Sequence, residues 1–598
     1  MSAQAHSGGR AMGPADQAAA ARASALAALR ARSRALRLAF LRRVMIWFSR
    51  RLFRRSRRRP TAVPFGQTIM NPAVYRLPRP RTMPQMGLPR PPATTLDGSG
   101  RGGLSCDFSF LQGSRTMAKA AALIKTKIVA TIGPASRDRR MLERLMAAGV
   151  DVFRLNFSHG ARAEHEQALR TIRALAGRRG DGPAVMADLC GPKIRVGQIA
   201  GGGVLLVEGA EVTIQRRTVV GTVKRFSTTL AELIDDVRKG QRIRLDDGKI
   251  ELEVIRRRLP QAIVCRVLTG GILSSSKGVN LPQTALKLSA LTEKDRADAR
   301  WLAKQDIDYV ALSFVQRAAD VEALRKILRA GGSDAHIIAK IEKPQALKNI
   351  DGILAAADGI MVARGDLGVE MSLPEVPLAQ KRLVRLAAAA GKVCIVATQM
   401  LETMTESASP TRAEVSDVAN AVLDGADAVM LSGETAIGKY PEKTVRMMDS
   451  ILRETGQYHD ELRREGTVRI VLPEASAVGE DLLAVARAVA ALVDDERVKA
   501  VAAFTISGET ARVLSRMRLP VPILALTPSR RVAQQMSLLY GTVGREAPIC
   551  THTREILAVA ADQARRLRWA SKGEKIVVAS GRPLGVSGTI NTLVVHTV

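Results

Sequence analysis

Residues 336–399 carry the pattern that decides the fold: HIIAKIEKPQALKNIDGILAAADGIMVARGDLGVEMSLPEVPLAQKRLVRLAAAAGKVCIVATQ. Three short apolar runs stand in this stretch, His336–Ile341, Gly359–Val362 and Val393–Thr398. They alternate with segments of helical periodicity such as Val376–Ala390. This alternation is typical of βα units, in which parallel strands are joined by crossover helices.

The same alternation extends in both directions from this stretch. Eight apolar runs predict strands: Lys127–Ile132, Val150–Phe157, Ala184–Leu189, Tyr309–Phe314, His336–Ile341, Gly359–Val362, Val393–Thr398 and Ala428–Leu431. Helix candidates lie between and after them: Arg139–Ala148, Glu164–Ala176, Glu293–Lys304, Val321–Arg329, Val376–Ala390, Ala413–Leu423 and Glu442–Glu454. Eight βα units of this length predict an α/β fold, a TIM (β/α)8 barrel, with its active site at the carboxyl ends of the strands.

Two other regions predict further domains. Residues 198–276 alternate apolar and polar positions between Gly-rich turns, as in Val204–Val207, Glu211–Ile214 and Ile250–Val254, and we expect a small inserted β-barrel that acts as a lid. Residues 457–598 predict an α/β domain for effector binding and oligomerisation, with strands at Ala500–Phe504, Ile523–Leu526, Ile576–Ala579 and Leu593–His596. The catalytic barrel is thereby assigned to residues 117–197 and 277–456.

Residues 1–116 differ in composition from the rest of the chain. They hold 21 arginines and three aspartates but no lysine or glutamate, and so carry about half of the net charge of +34. We expect a disordered basic extension, within which 18–59 could form a basic amphipathic helix. It is expected to take no part in catalysis, and to be either translation upstream of a true start at Met117 or a transit peptide.

The basic extension also allows a different kind of function, nonspecific binding to nucleic acid or to an anionic membrane. It lacks the interleaved aromatic side chains of a stacking platform, so no specific nucleic-acid partner is expected. Its longest apolar run, Val44–Phe48, is far shorter than the ~20 residues that span a bilayer, and no transmembrane segment is expected.

The five cysteines are scattered through the chain, at positions 106, 190, 265, 394 and 550. None forms a short pair suited to zinc or to a secreted disulfide framework. This spacing predicts a reducing, cytoplasmic setting.

Polar and charged side chains follow six of the predicted strands, where barrel enzymes collect their chemistry. The segments, from the second, third, fifth, sixth, seventh and eighth strands, are Arg154–Gly160, Asp188–Arg195, Lys340–Glu342, Ala363–Gly368, Thr398–Met400 and Ser432–Thr435. Glu342 and Asp366 are candidate ligands of Mg2+ or Mn2+. Arg154, Arg195 and Lys340 are the cations that could clamp and neutralise a transferring phosphoryl group.

Seven runs of sequence resemble the pyruvate kinase family: Thr131–Ser136, Arg154–Gly160, Lys277–Pro282, Ile338–Glu342, Met361–Glu370, Ala397–Met404 and Pro410–Pro441. The resemblance covers about 124–598. It implies transfer of the phosphoryl group of phosphoenolpyruvate to ADP, giving pyruvate and ATP in the last step of glycolysis, by an allosteric homotetramer. The alternative is a phosphoenolpyruvate-using barrel without a nucleotide, such as a mutase or lyase, against which the lid and the Lys277–Pro282 run argue.

The resemblance also implies roles for individual residues. Lys340 would neutralise the phosphoryl group in flight, Glu342 and Asp366 would hold the divalent metal, and the backbone of Gly365 and Asp366 would contact the substrate carboxylate. The residues implied for phosphate and nucleotide binding are Arg154, Asn156, His159, Arg195 and Lys277.

Protonation of the enolate is implied on the side of Thr398, relayed through Ser432, and we expect water to be the direct donor. In the alternative interpretation these two hydroxyls bond only backbone.

The segment after the third strand departs from the best-known members of the family. Many of them require K+ and read Asp-Thr-Lys-Gly-Pro-Glu, whereas here residues 188–193 read DLCGPK. The ammonium group of Lys193 stands where the carboxylate would recruit the ion, so K+ is not expected to be required. Asn156, Ser158 and Asp188 keep the side chains of the monovalent-cation site, and Leu189 belongs to the same region.

The effector loop that the resemblance implies spans Thr505–Thr510, with Thr505, Ser507, Gly508 and Thr510 as candidate phosphate ligands and a second loop at 583–589. Glu509 stands where relatives often carry a base. An acid repels a bisphosphate, so fructose 1,6-bisphosphate is expected to be a poor effector. Another phosphorylated metabolite, or no effector, remains open.

Overall fold

The computed structural model describes residues 125–179, 182–284, 289–495, 497–583, 586, 588 and 590–598. The predicted basic extension at 1–116, with its possible helix at 18–59, lies outside these residues.

Eight parallel strands close into a barrel in which each strand pairs with its neighbour along the chain and the eighth pairs with the first. In chain order they are Lys127–Ile132, Val152–Asn156, Ala184–Asp188, Tyr309–Leu312, His336–Ile341, Gly359–Ala363, Val393–Ala397 and Ala428–Leu431. The predicted TIM barrel is confirmed. Most of these strands are apolar and buried on both faces, as parallel strands covered by helices are.

Three of the barrel helices begin at a residue whose side chain caps the first turn, Asp138, Thr292 or Thr411. The bounds of the barrel helices are Arg139–Ala148, Arg162–Arg179, Glu293–Leu302, Ala318–Ala330, Pro344–Lys348, Ile350–Ala356, Arg364–Glu370, Val376–Ala389, Arg412–Leu423, Gly433–Ala436 and Pro441–Glu465. Capping boxes start two of them, at Thr292 and Thr411. Among the described helices, none combines the length and the apolar character that crossing a membrane requires.

The last barrel helix differs from the prediction. The prediction Glu442–Glu454 is too short, since the helix continues to Glu465 and is capped by Gly466, whose φ of 70° is left-handed. The predicted boundary after residue 456 therefore falls inside this helix. Gly456 is tolerated there because a glycine lowers helix stability only modestly.

The inserted region forms a six-stranded sheet of the order Val279–Asn280, Arg242–Leu245, Ile250–Arg258, Ala262–Thr269, Glu211–Gln215 and Arg225–Ser227. A two-stranded sheet, Val204–Leu206 with Gly271–Leu273, and a short helix, Leu233–Asp236, complete it. The expected closed β-barrel is only approximated, since single bridges of Arg195 with Gly278 and of Val196 with Thr228 span the gap between the edge strands. The lid sheet also reaches four residues past the predicted boundary at 276, because Val279–Asn280 pairs with Arg242–Leu245.

The C-terminal domain is a five-stranded sheet of the order Thr542–Glu546, Ile523–Thr527, Val498–Phe504, Lys575–Ser580 and Thr592–Thr597, with the last strand antiparallel. Its helices are Ala475–Val478, Glu480–Asp495, Glu509–Arg516, Arg530–Gln535 and Thr553–Arg566. The strand Thr542–Glu546 was not predicted. Its side chains are mostly half-buried and include Gly544, Arg545 and Glu546, so it lacks the apolar run that marked the others.

This domain covers the amino ends of the barrel strands, here called the barrel floor. One hydrophobic cluster joins Val129 and Ile338 in the barrel interior with Met536 and Leu539 of the C-terminal domain. The Tyr309 hydroxyl, at the start of the fourth strand, donates to the Gln535 carbonyl oxygen at 2.5 Å. The carboxyl ends of the strands are thereby left as the open mouth of the barrel.

Candidate active site

Three charged side chains from the second, third and fifth strands meet at the barrel mouth. Arg154 donates through Nε to Asp188 Oδ2 at 2.7 Å, and Lys340 Nζ lies 3.3 Å from Asp188 Oδ1. All three are nearly buried. Burial alone would raise the pKa of Asp188, but Lys340 and Arg154 hold it below its usual value. The carboxylate is therefore ionised and fixes both cations.

Lys340 is held by two further groups. Its ammonium donates to Ser313 Oγ at 2.7 Å and lies 2.9 Å from Glu342 Oε1. Burial alone would lower the pKa of Lys340, but the carboxylates of Asp188 and Glu342 raise it. The group stays charged at any physiological pH, which suits a cation that must neutralise a phosphoryl group.

The Glu342 carboxylate is fully buried at the end of the fifth strand. Its Oε2 accepts from the Phe314 amide at 2.7 Å, and its Oε1 faces the Lys340 ammonium at 2.9 Å. Burial, and then the charge of Asp366, raise the pKa of Glu342, while Lys340 opposes them. A bound cation would relieve the repulsion between the Glu342 and Asp366 carboxylates.

These features fit the divalent metal that the sequence implies. The described residues hold no cluster of three or more His, Cys, Asp or Glu side chains arranged as a metal site. Glu342 and Asp366 would be the two carboxylate ligands that the protein supplies. Water and substrate oxygens would fill the remaining coordination positions, as is usual for Mg2+. Lys193 Nζ lies 3.6 Å from Asp366 Oδ1, so this lysine does reach the mouth.

The end of the seventh strand carries backbone strain. Thr398 and Gln399 have φ of 76° and 57°, which is uncommon for any residue other than glycine and rarest for a β-branched one such as Thr398. Arg364 stabilises this turn by donating to the carbonyl oxygens of Ala397 at 3.2 Å and Thr398 at 2.7 Å. A Cβ on Gly365 would lie 2.6 Å from Thr398 Cγ2, so only glycine lets the two segments approach this closely.

The eighth strand ends at Ser432, which is half-buried beside the mouth. Its amide donates to Glu434 Oε2 at 2.6 Å, and Glu434 Oε1 accepts from the Leu401 amide at 3.2 Å. This buried glutamate therefore ties the ends of the seventh and eighth strands together.

The residues predicted to bind phosphates lie in a positive field. His159 is exposed, and partial burial together with Arg195, Lys193 and Arg154 lowers its pKa. Arg195 Nη1 donates to the Ser276 carbonyl oxygen at 3.0 Å, which puts this arginine at the lid hinge.

Other residues of the predicted set have local partners. Asn156 is in register with Asp188 on the neighbouring strand, and its Oδ1 accepts from the Ser158 amide at 3.2 Å. Leu189, which follows Asp188 in the chain, is fully buried. Lys277 Nζ lies 3.0 Å from Asp246 Oδ1, so it is paired within the lid.

The lid is attached to the barrel mouth by two contacts. Arg244 donates to the Val369 carbonyl oxygen at 2.7 Å, at the end of the helix that carries Asp366. Asn280 donates to Glu370 Oε1 at 3.0 Å, and Lys343, the residue after Glu342, lies 3.2 Å from the same oxygen. The lid thus contacts the helix that carries Asp366 directly, and it reaches the residue after Glu342 only through Glu370.

The predicted effector loop lies apart from the mouth, in the C-terminal domain. It lines a cavity of about 250 Å3. The Gly508 amide donates to Thr505 Oγ1 at 3.0 Å, while Ser507 and Thr510 line the cavity. The second predicted loop, 583–589, falls partly outside the described residues.

Several side chains of the mouth were missed from the sequence. Ser313, which contacts Lys340, follows the fourth strand, and Thr131 Oγ1, which accepts from Arg154 at 3.0 Å, ends the first. Both residues stand where a barrel strand ends, which is where functional side chains are expected. Neither is charged, and so neither was singled out. Arg364 and Glu434 lie within the segments quoted for the sixth and eighth strands, and only their contacts reveal what they support.

The chain is similar to known proteins in both sequence and fold. Residues 123–445 match the family model "Pyruvate kinase, barrel domain", and residues 483–596 match "Pyruvate kinase, alpha/beta domain". Pyruvate kinase from Geobacillus stearothermophilus is 44% identical over 479 residues, 79% of this chain and 80% of the relative, and that from Corynebacterium glutamicum is 41% identical over 476 residues, 79% and 97%. The crystal structure of a pyruvate kinase from Cryptosporidium parvum superposes with a TM-score of 0.74 at 33% identity, covering 79% of this chain and 96% of that one.

Proposed function

This chain belongs to the pyruvate kinase family, and we propose that the cluster at its barrel mouth carries out the family reaction with the residue roles given below. The enzyme transfers the phosphoryl group of phosphoenolpyruvate to ADP, forming pyruvate and ATP. Members of this family use Mg2+. A phosphoenolpyruvate-using barrel without a nucleotide, the alternative left open by the sequence, is thereby excluded.

The observation that carries the proposed roles is the position of Lys340 between Asp188 and Glu342. Its charge is fixed before substrate binds, so it can stabilise the transferring phosphoryl group without rearrangement. Arg154, held by Asp188, is the second cation for the phosphates. A divalent metal bound by Glu342 and Asp366 would add Lewis-acid stabilisation of the developing enolate oxygen.

The remaining roles follow from position around this cluster. Gly365 and Asp366, in the first turn of their helix, are proposed to contact the substrate carboxylate through backbone amides. Thr398 faces the space beside Gly365, and we assign to it and Ser432 the side on which the enolate gains a proton from water. Loss of the phosphoryl group leaves an enolate, and protonation at its carbon gives pyruvate.

The nucleotide is proposed to bind between the mouth and the lid. His159 and Arg195 belong to this positive region, with Asn156 beside them, and Lys277 would join them on the lid side. The contacts of Arg244 and Asn280 with the barrel provide a route by which lid position acts on the metal carboxylates.

The sequence-based assignments of assembly, location and domains complete the proposal. We propose a cytoplasmic homotetramer built from the predicted barrel, lid and C-terminal domains, with the lid extended to Asn280 and the last barrel helix to Glu465, and a phosphorylated metabolite as the ligand of the Thr505–Thr510 loop. The tetramer is tested by sedimentation equilibrium of the full chain. A thermal-shift screen of phosphorylated metabolites, repeated on Ser507→Ala, tests the loop.

The first prediction tests the role of Lys340. Lys340→Met should lower kcat by at least the ~10²–10³ expected for one transition-state donor. Turnover is measured as pyruvate formed from phosphoenolpyruvate and ADP with Mg2+, and the melting temperature checks that the fold survives. Lys439→Met, which alters an exposed ion pair with Glu406, is the control and should leave kcat unchanged. Near-normal turnover of Lys340→Met would refute the assignment.

A further inference from the structure

A second cavity lies at the barrel floor, opposite the active site. It has a volume of about 230 Å3 and opens between the starts of the barrel strands and the loop before the helix Glu509–Arg516. We call it the floor cavity, and its polar lining comes from His336, Lys392, Ser507 and Arg512, with Asp358 and Glu509. None of these groups belongs to the catalytic cluster.

Lys392 has an incompletely satisfied charge. Its ammonium donates to the Ala357 carbonyl oxygen at 2.8 Å, and no carboxylate of the described residues lies within ion-pair distance of it. Burial, and then the neighbouring guanidinium of Arg512, lower its pKa. A partly buried ammonium beside a second cation is stabilised by an anion.

Arg512 is only partly neutralised. Nη1 donates to the Gly391 carbonyl oxygen at 3.0 Å, and Nη2 donates to Glu509 Oε1 at 3.1 Å. Glu509 and Ser507 also line the effector cavity on the other side of the same loop. Ser507 and Glu509 thus line both cavities, and Arg512 is in contact with Glu509.

His336 supplies a third nitrogen-bearing group. Its ring stands edge-on to Tyr309, with centroids 6.0 Å apart, and none of its described contacts is a hydrogen bond from the ring. Burial lowers the pKa of His336. The carboxylate of Asp358 opposes this shift, whereas the positive charges of Arg512 and Arg325 add to it. Asp358 is itself engaged, because Oδ2 accepts from Arg325 at 3.1 Å and from the Ile337 amide at 2.8 Å. With Asp358 paired to Arg325 and Glu509 paired to Arg512, Lys392 is the lining cation that has no carboxylate partner among the described residues.

We propose that the floor cavity binds a small oxyanion, of the size of phosphate or a short dicarboxylate, through Lys392 and Arg512. The volume is below the roughly 300–1,000 Å3 of pockets that hold drug-sized molecules, so the ligand is small. The two cations supply charge-assisted hydrogen bonds, and the His336 ring can add a further donor. An anion on Arg512 competes with Glu509, so occupancy of the floor cavity alters the charge facing the effector cavity.

The location is tested by soaking crystals of the full chain in selenate, a tetrahedral dianion with an anomalous signal. We expect an anomalous peak within hydrogen-bond distance of Lys392 Nζ. Peaks at the barrel mouth or the effector cavity, with an empty floor cavity, would overturn the proposal.

Affinity is tested in solution by titrating inorganic phosphate and, separately, succinate against the thermal unfolding of the full chain. Lys392→Gln removes one cation but keeps the active site and the effector loop, so the difference from the wild type isolates the floor cavity. We expect this variant to bind one of the two anions about ten- to a hundredfold more weakly. This is the effect of losing a hydrogen bond to a charged group. The stronger effect identifies phosphate or dicarboxylate as the ligand class.

Lys572→Gln, at an exposed turn outside the lining of both cavities, is the matched control and should bind both anions like the wild type. Arg512→Met provides a second, independent variant, with the same loss expected. Equal stabilisation of the wild type and both cavity variants by phosphate and by succinate would overturn the proposal.

Discussion

Single charged side chains at the barrel mouth set the conditions under which the metal and the substrate bind. Lys340 is surrounded by carboxylates and stays protonated, whereas Glu342 is buried beside Asp366 and its pKa is raised. The two effects have opposite consequences for pH dependence. Lys340 does not titrate in the working pH range. The loss of metal affinity at low pH is therefore expected to depend on protonation of Glu342.

The second prediction is a loss of metal affinity on acidification. Glu342 must be ionised to bind a cation, and protons compete with the metal as pH falls through its pKa. Because that pKa is raised, the affinity should begin to fall at a higher pH than for an ordinary glutamate. The Kd of Mn2+ is measured by electron paramagnetic resonance, without substrates, from pH 8 down to pH 5.

Glu342→Gln provides the comparison for this titration. It should bind Mn2+ weakly at every pH and lose the acid limb. A wild-type Kd that stays constant over the whole range would count against Glu342 as a ligand.

The third prediction concerns K+. Lys193 lies 3.6 Å from Asp366, so its ammonium already supplies positive charge at the mouth. Rates in choline or Tris salts should match those in potassium salts, and Lys193→Glu should lose about tenfold or more of its activity without K+ and regain it with K+. Lys193→Gln removes the positive charge without adding a negative one. Comparison with Lys193→Glu therefore separates the loss of the ammonium group from the gain of a carboxylate. A wild-type enzyme inactive without K+ would refute the hypothesis.

At the scale of elements, the sequence predicts best what depends on long apolar runs. The strand His336–Ile341 was predicted to the residue because five of its six side chains are buried in an uninterrupted run. The short strands Arg225–Ser227 and Val279–Asn280 have too few residues to show alternation, and they pair only because the lid sheet brings distant segments together. Register and sheet edges depend on such tertiary contacts, which local pattern does not encode.

The same distinction holds for the site. Arg154, Lys340, Glu342 and Asp366 were predicted from their position after strands, and the structure brings them together. The contact of Ser313 with Lys340 and the pairing of Lys277 with Asp246 depend on side-chain direction across elements, which neither spacing nor resemblance supplies. The proposed floor cavity was not anticipated at all, because its lining residues come from segments far apart in the chain.

The fourth prediction concerns the attachment of the C-terminal domain to the eighth strand. Asp427, just before that strand, is fully buried and pairs with Arg516 and, at 2.9 Å, with Arg518. Asp427→Asn would leave two buried guanidinium groups without their carboxylate, at a cost of about 3–5 kcal/mol in the free energy of unfolding. Urea unfolding followed by circular dichroism measures this change.

Glu406→Gln is the control for that experiment. It breaks an exposed pair with Lys439 and should cost less than about 1 kcal/mol. Equal stability of the two variants would show that the buried pair contributes little to the attachment.

At the scale of the whole molecule, the described architecture and both family matches lie after residue 122. Every side chain assigned to the mouth, the lid and the effector loop comes from this part of the chain. The catalytic machinery is thus expected to be independent of the basic segment.

The fifth prediction follows from that distribution. A chain that starts at Met117 should keep the kcat and KM of the full chain, measured with phosphoenolpyruvate and ADP. Binding of the full chain to DNA or anionic vesicles, if any, should disappear on this truncation and should weaken with salt. Loss of turnover in the shortened chain would show that residues 1–116 contribute to catalysis.

The hydrophobic cluster that runs through the barrel floor has a consequence for how new regulation can evolve. Met536 and Leu539 of the C-terminal domain pack with Val129 and Ile338 of the barrel, so the two domains have one interior surface in common. Recombination that exchanged only the C-terminal domain between relatives would bring mismatched side chains to that surface. Inheritance should therefore keep the two domains as one module, and new ligand specificity in the C-terminal domain should arise by point substitution in loops that line its cavities, such as the predicted effector loop Thr505–Thr510.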